Sequence, residues 1–179
     1  MSELSPPNVS RRHADISSAL QNAALPEVLK RVYAGRGITD PGELSLGLDQ
    51  LIPPTSLKGV ADAAELLADA IEGEARVLIV GDFDADGATS CAMAVSVLQQ
   101  MGLREVAYLV PNRFEFGYGL TPEIVEMAAA QMPDLIVTVD NGISSVEGVS
   151  AAQAQGISVL STRHHLPGVS LPTAAVIVN

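Results

Sequence analysis

Three aspartates at alternate positions, Asp82, Asp84 and Asp86, follow a short apolar run and precede a helix-length segment. The start of a helix favours negative charge by up to about 2 kcal/mol, which is less than the mutual repulsion of clustered carboxylates can cost. A divalent cation removes this conflict, and carboxylate oxygens are the hard ligands that Mg²⁺ and Mn²⁺ prefer. The spacing therefore predicts a metal site, with a solvated acidic turn as the alternative interpretation.

Two further loops carry residues of the same chemistry at the ends of apolar runs. Asp140 ends one run, and the adjacent His164 and His165 follow the next one. A lone aspartate at this place is often a helix cap or a turn former, and a lone histidine is more often a packed or surface residue. Neighbouring histidines on one loop can supply a metal ligand and a phosphate contact. If the runs are parallel strands, their ends meet at one edge of a sheet, and these loops converge there.

A fourth loop, residues 111–119, holds an arginine among aromatic rings: Arg113 lies beside Phe114, with Phe116 and Tyr118 close behind. Aromatic faces next to an arginine are suited to base stacking and phosphate contact with single-stranded nucleic acid. The alternative is that these rings pack the loop against the N-terminal helices.

The elements that must position these loops are short apolar runs alternating with helix-length segments. The predicted strands are residues 77–80, 106–110, 135–139, 157–160 and 174–178, and the predicted helices are residues 87–101, 122–131 and 144–155. Continuously apolar strands are typical of a sheet covered on both faces, and strand–helix alternation implies right-handed parallel crossovers. The sequence predicts an α/β fold: an open, mainly parallel, Rossmann-like sheet of about five strands with helices on both faces, preceded by a helical segment.

The domain organisation follows from changes in the pattern along the chain. Residues 1–20 are polar and aperiodic and predict a loose N-terminal arm, and residues 21–75 predict a helical lead-in. Residues 76–179 predict the α/β catalytic domain, which we expect to be truncated at its C-terminal end because the last apolar run stops at Asn179 without a helix after it.

Charge and composition limit the function classes. The 179 residues include 47% hydrophobic ones and carry a formal net charge of −11. This charge argues against binding to duplex DNA or an anionic membrane through bulk positive charge. The single cysteine, Cys91, excludes an internal disulfide, and no apolar stretch reaches the roughly 20 residues of a membrane span. Because Arg11-Arg12 is followed by no apolar segment, we expect a cytoplasmic protein without a membrane partner.

Four stretches resemble the DHH phosphoesterase superfamily and, within it, the RecJ family of bacterial single-strand-specific 5′→3′ DNA exonucleases. They are residues 80–87, 111–119, 138–145 and 164–168, in the family's order. The resemblance implies a two-metal site for Mn²⁺ or Mg²⁺, hydrolysis of phosphodiester bonds in DNA repair and recombination, single-stranded DNA as partner, and DNA-repair proteins as further partners. It leaves the oligomeric state open.

Carried onto this sequence, the resemblance also implies a role for each residue. The metal ligands that it implies are Asp82, Asp84, Asp86, Asp140 and His164. Asp140 would bridge the two ions, and Asp82 would be either a ligand or a support for one. His165 would contact the scissile phosphate, and Arg113 and Tyr118 would lie on the nucleic-acid side. The sequence departs from the family where Arg163 replaces the name-giving aspartate, Val80 replaces a histidine that many members carry, and Phe116 replaces an acidic residue.

Three other interpretations stay open at this point. Within the superfamily, the chain could be a nanoRNase, a cyclic-dinucleotide phosphodiesterase or a pyrophosphatase. A receiver-like signalling module also has acidic residues after its first strand and an aspartate after its third, but it needs a lysine at a later strand end. The lysines here, Lys30 and Lys58, both precede the predicted sheet. A binding module that has lost catalysis, marked by Arg163, is the third.

Overall fold

The computed structural model describes residues 13–140, 145–162 and 171–178. The chain divides into two compact units, Met1–Ile52 and Pro53–Asn179. Within the described residues the helices are α1 Ser18–Gln21, α2 Glu27–Ala34, α3 Val60–Glu72, α4 Ala85–Gln100, α5 Arg113–Phe116, α6 Pro122–Ala129 and α7 Val146–Ala154. The strands are β1 Val77–Val80, β2 Val106–Leu109, β3 Leu135–Val139, β4 Ser158–Thr162 and β5 Val176–Val178. The boundaries predicted for the arm, the lead-in and the catalytic domain stay predictions.

The first unit consists of two short helices and turns. Leu20 of α1 is fully buried, and the Ser17 hydroxyl caps this helix by accepting a hydrogen bond from the Leu20 N–H at 3.1 Å. A 3₁₀ turn at Pro41–Leu44 begins with a capping box formed by Asp40 and Glu43. Hydrogen bonds from the backbone N–H groups of Asp40 and Thr39 lower the pKa of the Glu43 carboxyl. Residues 1–12 of the predicted arm lie outside the described residues. Helix α1 begins at Ser18, which belongs to the rest of the predicted arm.

The second unit is built on one parallel sheet with the strand order β2-β1-β3-β4-β5. The helices that link these strands make parallel crossovers, so the predicted α/β class and five-stranded parallel sheet are confirmed. The order reverses between β1 and β3, because the chain leaves β1 toward one edge, at β2, and returns to build the other half. Such a reversal is where open α/β sheets bind their ligands.

Side chains of the central strands point alternately to the two faces, as the twofold period of a strand requires. On one face Val77 and Ile79 pack with Ala70 of α3 and Leu98 of α4. On the other face the helices α6 and α7 cover the sheet, in a cluster that includes Leu78, Val80, Ile124, Ile136, Val149 and Ala152. Burying a side chain of this size contributes about 1.5–3 kcal/mol, so both layers hold the sheet rigid beneath its loops. The predicted helices on both faces are confirmed.

Some predicted boundaries differ from the structure. Helix α4 begins at Ala85, two residues before the prediction, because Asp84 rather than a later residue caps it. Helix α7 begins at Val146 with Ser145 as its N-cap, two residues after the start predicted at residue 144, which lies outside the described residues. Tyr108 on β2 is 64% exposed because β2 is an edge strand, although its apolar sequence predicted cover on both faces. None of the helices in the described ranges is long and apolar enough to cross a membrane.

Candidate metal centre

The loops after β1 and β3 meet at the carboxyl edge of the sheet, at the point where the strand order reverses. β1 and β3 are adjacent and parallel, with Val80 paired to Thr138. The chain leaves β1 through Gly81 and Asp82 and enters α4, and it leaves β3 directly into Asp140. The topology thus brings together two loops that lie more than 50 residues apart in sequence.

Asp84 begins helix α4. Its backbone is extended, and its side chain accepts a hydrogen bond from the Gly87 N–H at 3.2 Å, which makes it the N-cap of the helix. Asp86 follows in the first turn of α4. The exposed N–H groups of a first helical turn give this place a positive electrostatic potential, which attracts negatively charged groups.

Asp140 occupies a left-handed backbone conformation directly after β3, with φ of 57°. This conformation costs an L-residue about 1–2 kcal/mol, although aspartate and asparagine tolerate it better than most. The Tyr118 hydroxyl donates a hydrogen bond to the backbone carbonyl of Asp140 at 2.9 Å. In this conformation the half-buried Asp140 places its carboxylate beside the start of α4.

Carboxylate oxygens of Asp84, Asp86 and Asp140 all lie within 4.8 Å of one another. At an effective dielectric of about 20, two unit charges about 5 Å apart repel by about 3 kcal/mol. This repulsion exceeds the electrostatic stabilisation that one helix N-terminus gives to a negative charge. A bound divalent cation offsets this repulsion. The set contains only hard oxygen donors, and oxygens on opposite sides of one Mg²⁺ lie about 4.2 Å apart, so these residues fit Mg²⁺ or Mn²⁺.

Asp82 lies beside this cluster and is not one of its three members. It is only 7% exposed, and its carboxylate accepts a hydrogen bond from the Phe83 N–H at 2.8 Å. A buried carboxylate held by the backbone shapes the loop from which Asp84 projects. The resemblance implied that Asp82 is either a metal ligand or a support for one, and both roles stay predictions.

Close packing at two glycines fixes the start of α4 against β1. A Cβ on Gly87 would collide with the carbonyl oxygen of Asp82 and lie 2.8 Å from its carbonyl carbon. A Cβ on Gly81 would meet the Cys91 sulfur. Burial raises the pKa of the Cys91 thiol, so Cys91 packs this corner as a neutral side chain. The sequence signal for this close packing was Gly87, the glycine that ends the aspartate motif, and the prediction of the metal site did not use it.

Buried hydroxyls hold the carboxyl end of β3 to β4, and sequence reasoning missed them. Thr138 and Ser161 are fully buried cross-strand partners whose hydroxyls are 3.2 Å apart. The Thr162 hydroxyl donates to the Thr138 carbonyl at 2.9 Å. These bonds fix the strand end that carries Asp140, and the available signal was the hydroxyl residues near the ends of two otherwise apolar runs.

The aromatic loop after β2 lies next to the loop after β1. Asn112 starts α5 by accepting a hydrogen bond from the Phe114 N–H at 3.1 Å, and Arg113 is the first residue of this helix. The rings of Phe83 and Phe114 stack with centroids 5.9 Å apart, and they are 45% and 88% exposed. Phe116, in contrast, packs against the hydrophobic cluster beneath α6 and α7.

Several predicted site residues fall outside what the structure describes. His164 and His165 lie in the segment 163–170, together with Arg163, outside the described residues. The side chain of Arg113 is outside them as well. Of the predicted set, the structure brings together Asp84, Asp86 and Asp140, with Asp82 and Tyr118 in contact with the segments that carry them.

An open groove of about 500 Å³ begins at Tyr118 and runs between the starts of α6 and α7. Glu123 and Glu147 line it. Hydrogen bonds from its own backbone N–H and from the Thr121 hydroxyl lower the pKa of Glu123, which keeps this carboxyl ionised. Neither glutamate of this groove belongs to the metal-ligating group found among the described residues, so the metal chemistry is assigned to Asp84, Asp86 and Asp140.

A family model described as "DHH family, N-terminal domain" matches residues 76–179. The relatives include "Single-stranded-DNA-specific exonuclease RecJ" from Dickeya dadantii, 54% identical over 156 residues, which are 87% of this chain and 27% of that protein. The protein of the same name from Escherichia coli is 49% identical over 169 residues, covering 94% of this chain and 29% of that protein. The chain thus spans less than a third of the length of these curated relatives.

Solved structures give the same assignment. A crystal structure of exonuclease RecJ bound to manganese is similar with a TM-score of 0.63 and 37% identity, covering 68% of this chain and 31% of that one. RecJ in complex with Mn²⁺ from Thermus thermophilus has a TM-score of 0.61 and 30% identity, covering 91% of this chain and 22% of that one.

Proposed function

This chain belongs to the DHH family, and from that premise we propose that it is the N-terminal catalytic part of a metal-dependent, single-strand-specific 5′→3′ DNA exonuclease. The observation that carries the proposal is the convergence of three carboxylates at the reversal point of the sheet. The names of the similar proteins give the substrate class, single-stranded DNA, and the manganese in the similar structures supports the choice of cation.

Asp84, Asp86 and Asp140 would hold Mn²⁺ or Mg²⁺ in a two-metal site. When bound, the ions supply positive charge that neutralises the phosphate and activates water for attack on phosphorus. Asp82 would support the loop of Asp84, as its buried carboxylate suggests. From the family resemblance we propose His164 as a further ligand and His165 as a contact to the scissile phosphate.

The nucleic-acid side of the site is proposed to be the loop after β2. Phe83 and Phe114 expose stacked aromatic faces beside the carboxylate cluster, and base stacking on such faces contributes about 1–3 kcal/mol per base without sequence preference. Arg113 would contact the phosphate backbone. Tyr118 would fix the same loop to the metal ligand Asp140, through its bond to the Asp140 carbonyl.

The biological setting is part of the proposal. A single-strand exonuclease acts where DNA strands have been separated or resected, so we place this protein in DNA repair and recombination, in the cytoplasm. DNA-repair proteins are its proposed protein partners. The net charge of −11 also fits a protein that contacts one DNA strand at its active site and does not bind duplex DNA through bulk positive charge.

The test is hydrolysis of a single-stranded oligonucleotide by this chain in Mn²⁺. A 5′-labelled strand should release labelled mononucleotide at once, a 3′-labelled strand should shorten gradually, and EDTA should stop both reactions. A duplex of the same sequence is the matched control and should stay intact. Cleavage that persists in EDTA would contradict the metal-dependent mechanism.

Three further substrates separate the alternatives in the same assay. Hydrolysis of a short RNA, a cyclic dinucleotide or pyrophosphate, with the DNA left intact, would assign another activity of the DHH phosphoesterases. Stable transfer of a phosphoryl group from acetyl phosphate to Asp140 would assign a receiver-like module. Either result would overturn the exonuclease proposal while keeping the carboxylate cluster at its centre.

A further inference from the structure

The hydroxyl of Tyr118 is hydrogen-bonded to the backbone of Asp140, 22 residues further along the chain, at 2.9 Å. We propose that Tyr118 is a positioning residue for the metal site: its hydroxyl stabilises the left-handed backbone that presents the Asp140 carboxylate to Asp84 and Asp86. This inference rests on the proposed function and adds to it a residue that acts through Asp140.

The backbone of Asp140 needs such support. With φ of 57° it occupies a conformation that costs an L-residue free energy, and it does so at the one position where β3 ends and the carboxylate cluster begins. A hydrogen bond to its carbonyl oxygen favours the orientation of that peptide group over the extended alternatives. In an extended conformation the side chain would continue the alternation of the strand and point away from the start of α4.

The segment that carries Tyr118 is itself held firmly. Gly117 and Gly119 flank the tyrosine with φ of 77° and 87°, values that favour glycine. A Cβ on Gly119 would lie 2.8 Å from the Ser145 hydroxyl oxygen, and that oxygen accepts a hydrogen bond from the Leu120 N–H at 2.9 Å. The Gly-Tyr-Gly segment is thus anchored at the start of α7, so the tyrosine hydroxyl is a fixed donor rather than a mobile side-chain end.

The contact is also specific to the hydroxyl. Tyr118 is 45% exposed, so most of what its ring contributes to packing survives replacement by phenylalanine. Removal of the hydroxyl alone should therefore leave the fold intact and weaken one hydrogen bond. Tyr108, 64% exposed on the edge strand β2, provides the matched replacement at a place remote from the contact with Asp140.

The experiment compares Mn²⁺ binding to the full 179-residue chain by titration calorimetry. Tyr118→Phe should raise the dissociation constant about three- to tenfold, as expected for the loss of one hydrogen bond, while Tyr108→Phe should leave it unchanged. An equal loss of affinity in Tyr118→Phe and Tyr108→Phe, or no loss in Tyr118→Phe, would overturn the proposal.

A second measurement needs no metal and distinguishes this proposal from the proposed function. In the metal-free chain, backbone amides of the peptide 134–140 should exchange hydrogen for deuterium faster in Tyr118→Phe than in Tyr108→Phe or the unchanged protein. If the unchanged chain shows no Mn²⁺ binding at all, the proposed function fails, and the exchange rates still decide whether Tyr118 holds Asp140. Equal exchange rates in all three proteins would refute the positioning role.

Discussion

Replacing Asp140 by asparagine is expected to abolish measurable Mn²⁺ binding and, at the same time, to raise the stability of the metal-free chain. The charged oxygen is lost from the centre of the cluster, and we expect the affinity to fall by more than the roughly 10–100-fold that loss of a residue supporting a ligand costs. Without metal, the same change relieves repulsion among three carboxylates. After solvent screening we expect about 1 kcal/mol, or a rise in Tm of about 2–4 °C.

Asparagine is chosen because it tolerates the left-handed backbone of this position, which alanine does not. Asp140→Ala should lose metal binding equally but should lower the stability of the metal-free chain. Asp69→Asn, on an exposed turn of α3, removes one charge far from the cluster and should change neither quantity by much. Calorimetric titration with Mn²⁺ and thermal unfolding in EDTA measure both effects. Undiminished Mn²⁺ binding by Asp140→Asn would refute the carboxylate cluster as the metal site.

The sequence predicted the partners in this cluster because of one topological rule. Aspartates that directly follow apolar runs lie at strand ends, and the ends of parallel strands share an edge, so Asp84 and Asp140 could be expected to converge. What the rule could not supply was the strand order. Asp140 meets Asp84 because β3 pairs directly with β1, while β2 lies on the other side of β1. Alternation of strands and helices is compatible with several orders.

Local geometry was harder to predict than topology. Asp82, Asp84 and Asp86 look equivalent in the sequence, yet Asp82 is buried against the backbone of its own loop while the other two are exposed at the helix start. The difference arises where the extended strand becomes a helix, a change of direction that alternate spacing does not reveal. The bond from Tyr118 to the Asp140 carbonyl depends on backbone angles in two loops, which no residue pattern gives.

Fold alone would not have separated the candidate functions. The order β2-β1-β3-β4-β5 is that of flavodoxin-like proteins, which include receiver domains, and both use the reversal point between β1 and β3. The residues at that point separate them. Every lysine precedes the sheet in sequence, whereas a receiver needs one at a later strand end, and the family match over residues 76–179 agrees with the DHH interpretation.

The second large effect is expected from Gly87→Ala. At an ordinary helical position, alanine stabilises a protein by up to about 1 kcal/mol relative to glycine. Here a Cβ would lie 2.8 Å from the carbonyl carbon and 2.9 Å from the nitrogen of Asp82, and both are backbone atoms without a flexible end that could turn away. The first turn of α4 must therefore move off β1. We expect a loss of about 2–3 kcal/mol in the free energy of unfolding, as for other overpacked sites.

The same movement should weaken metal binding, because Gly87 donates the hydrogen bond that holds Asp84 as the helix cap, and Asp86 lies in the displaced turn. Urea unfolding in EDTA measures the first effect and Mn²⁺ titration the second. Gln99→Ala, an exposed change to alanine in the last turn of α4, should stay within about 0.5 kcal/mol and bind Mn²⁺ normally. A Gly87→Ala chain that matched Gln99→Ala in both measurements would show that the contact between α4 and Asp82 does not set the position of the two aspartates. Loss of binding together with loss of stability would instead tie the metal affinity to this one backbone contact, since the variant keeps every carboxylate.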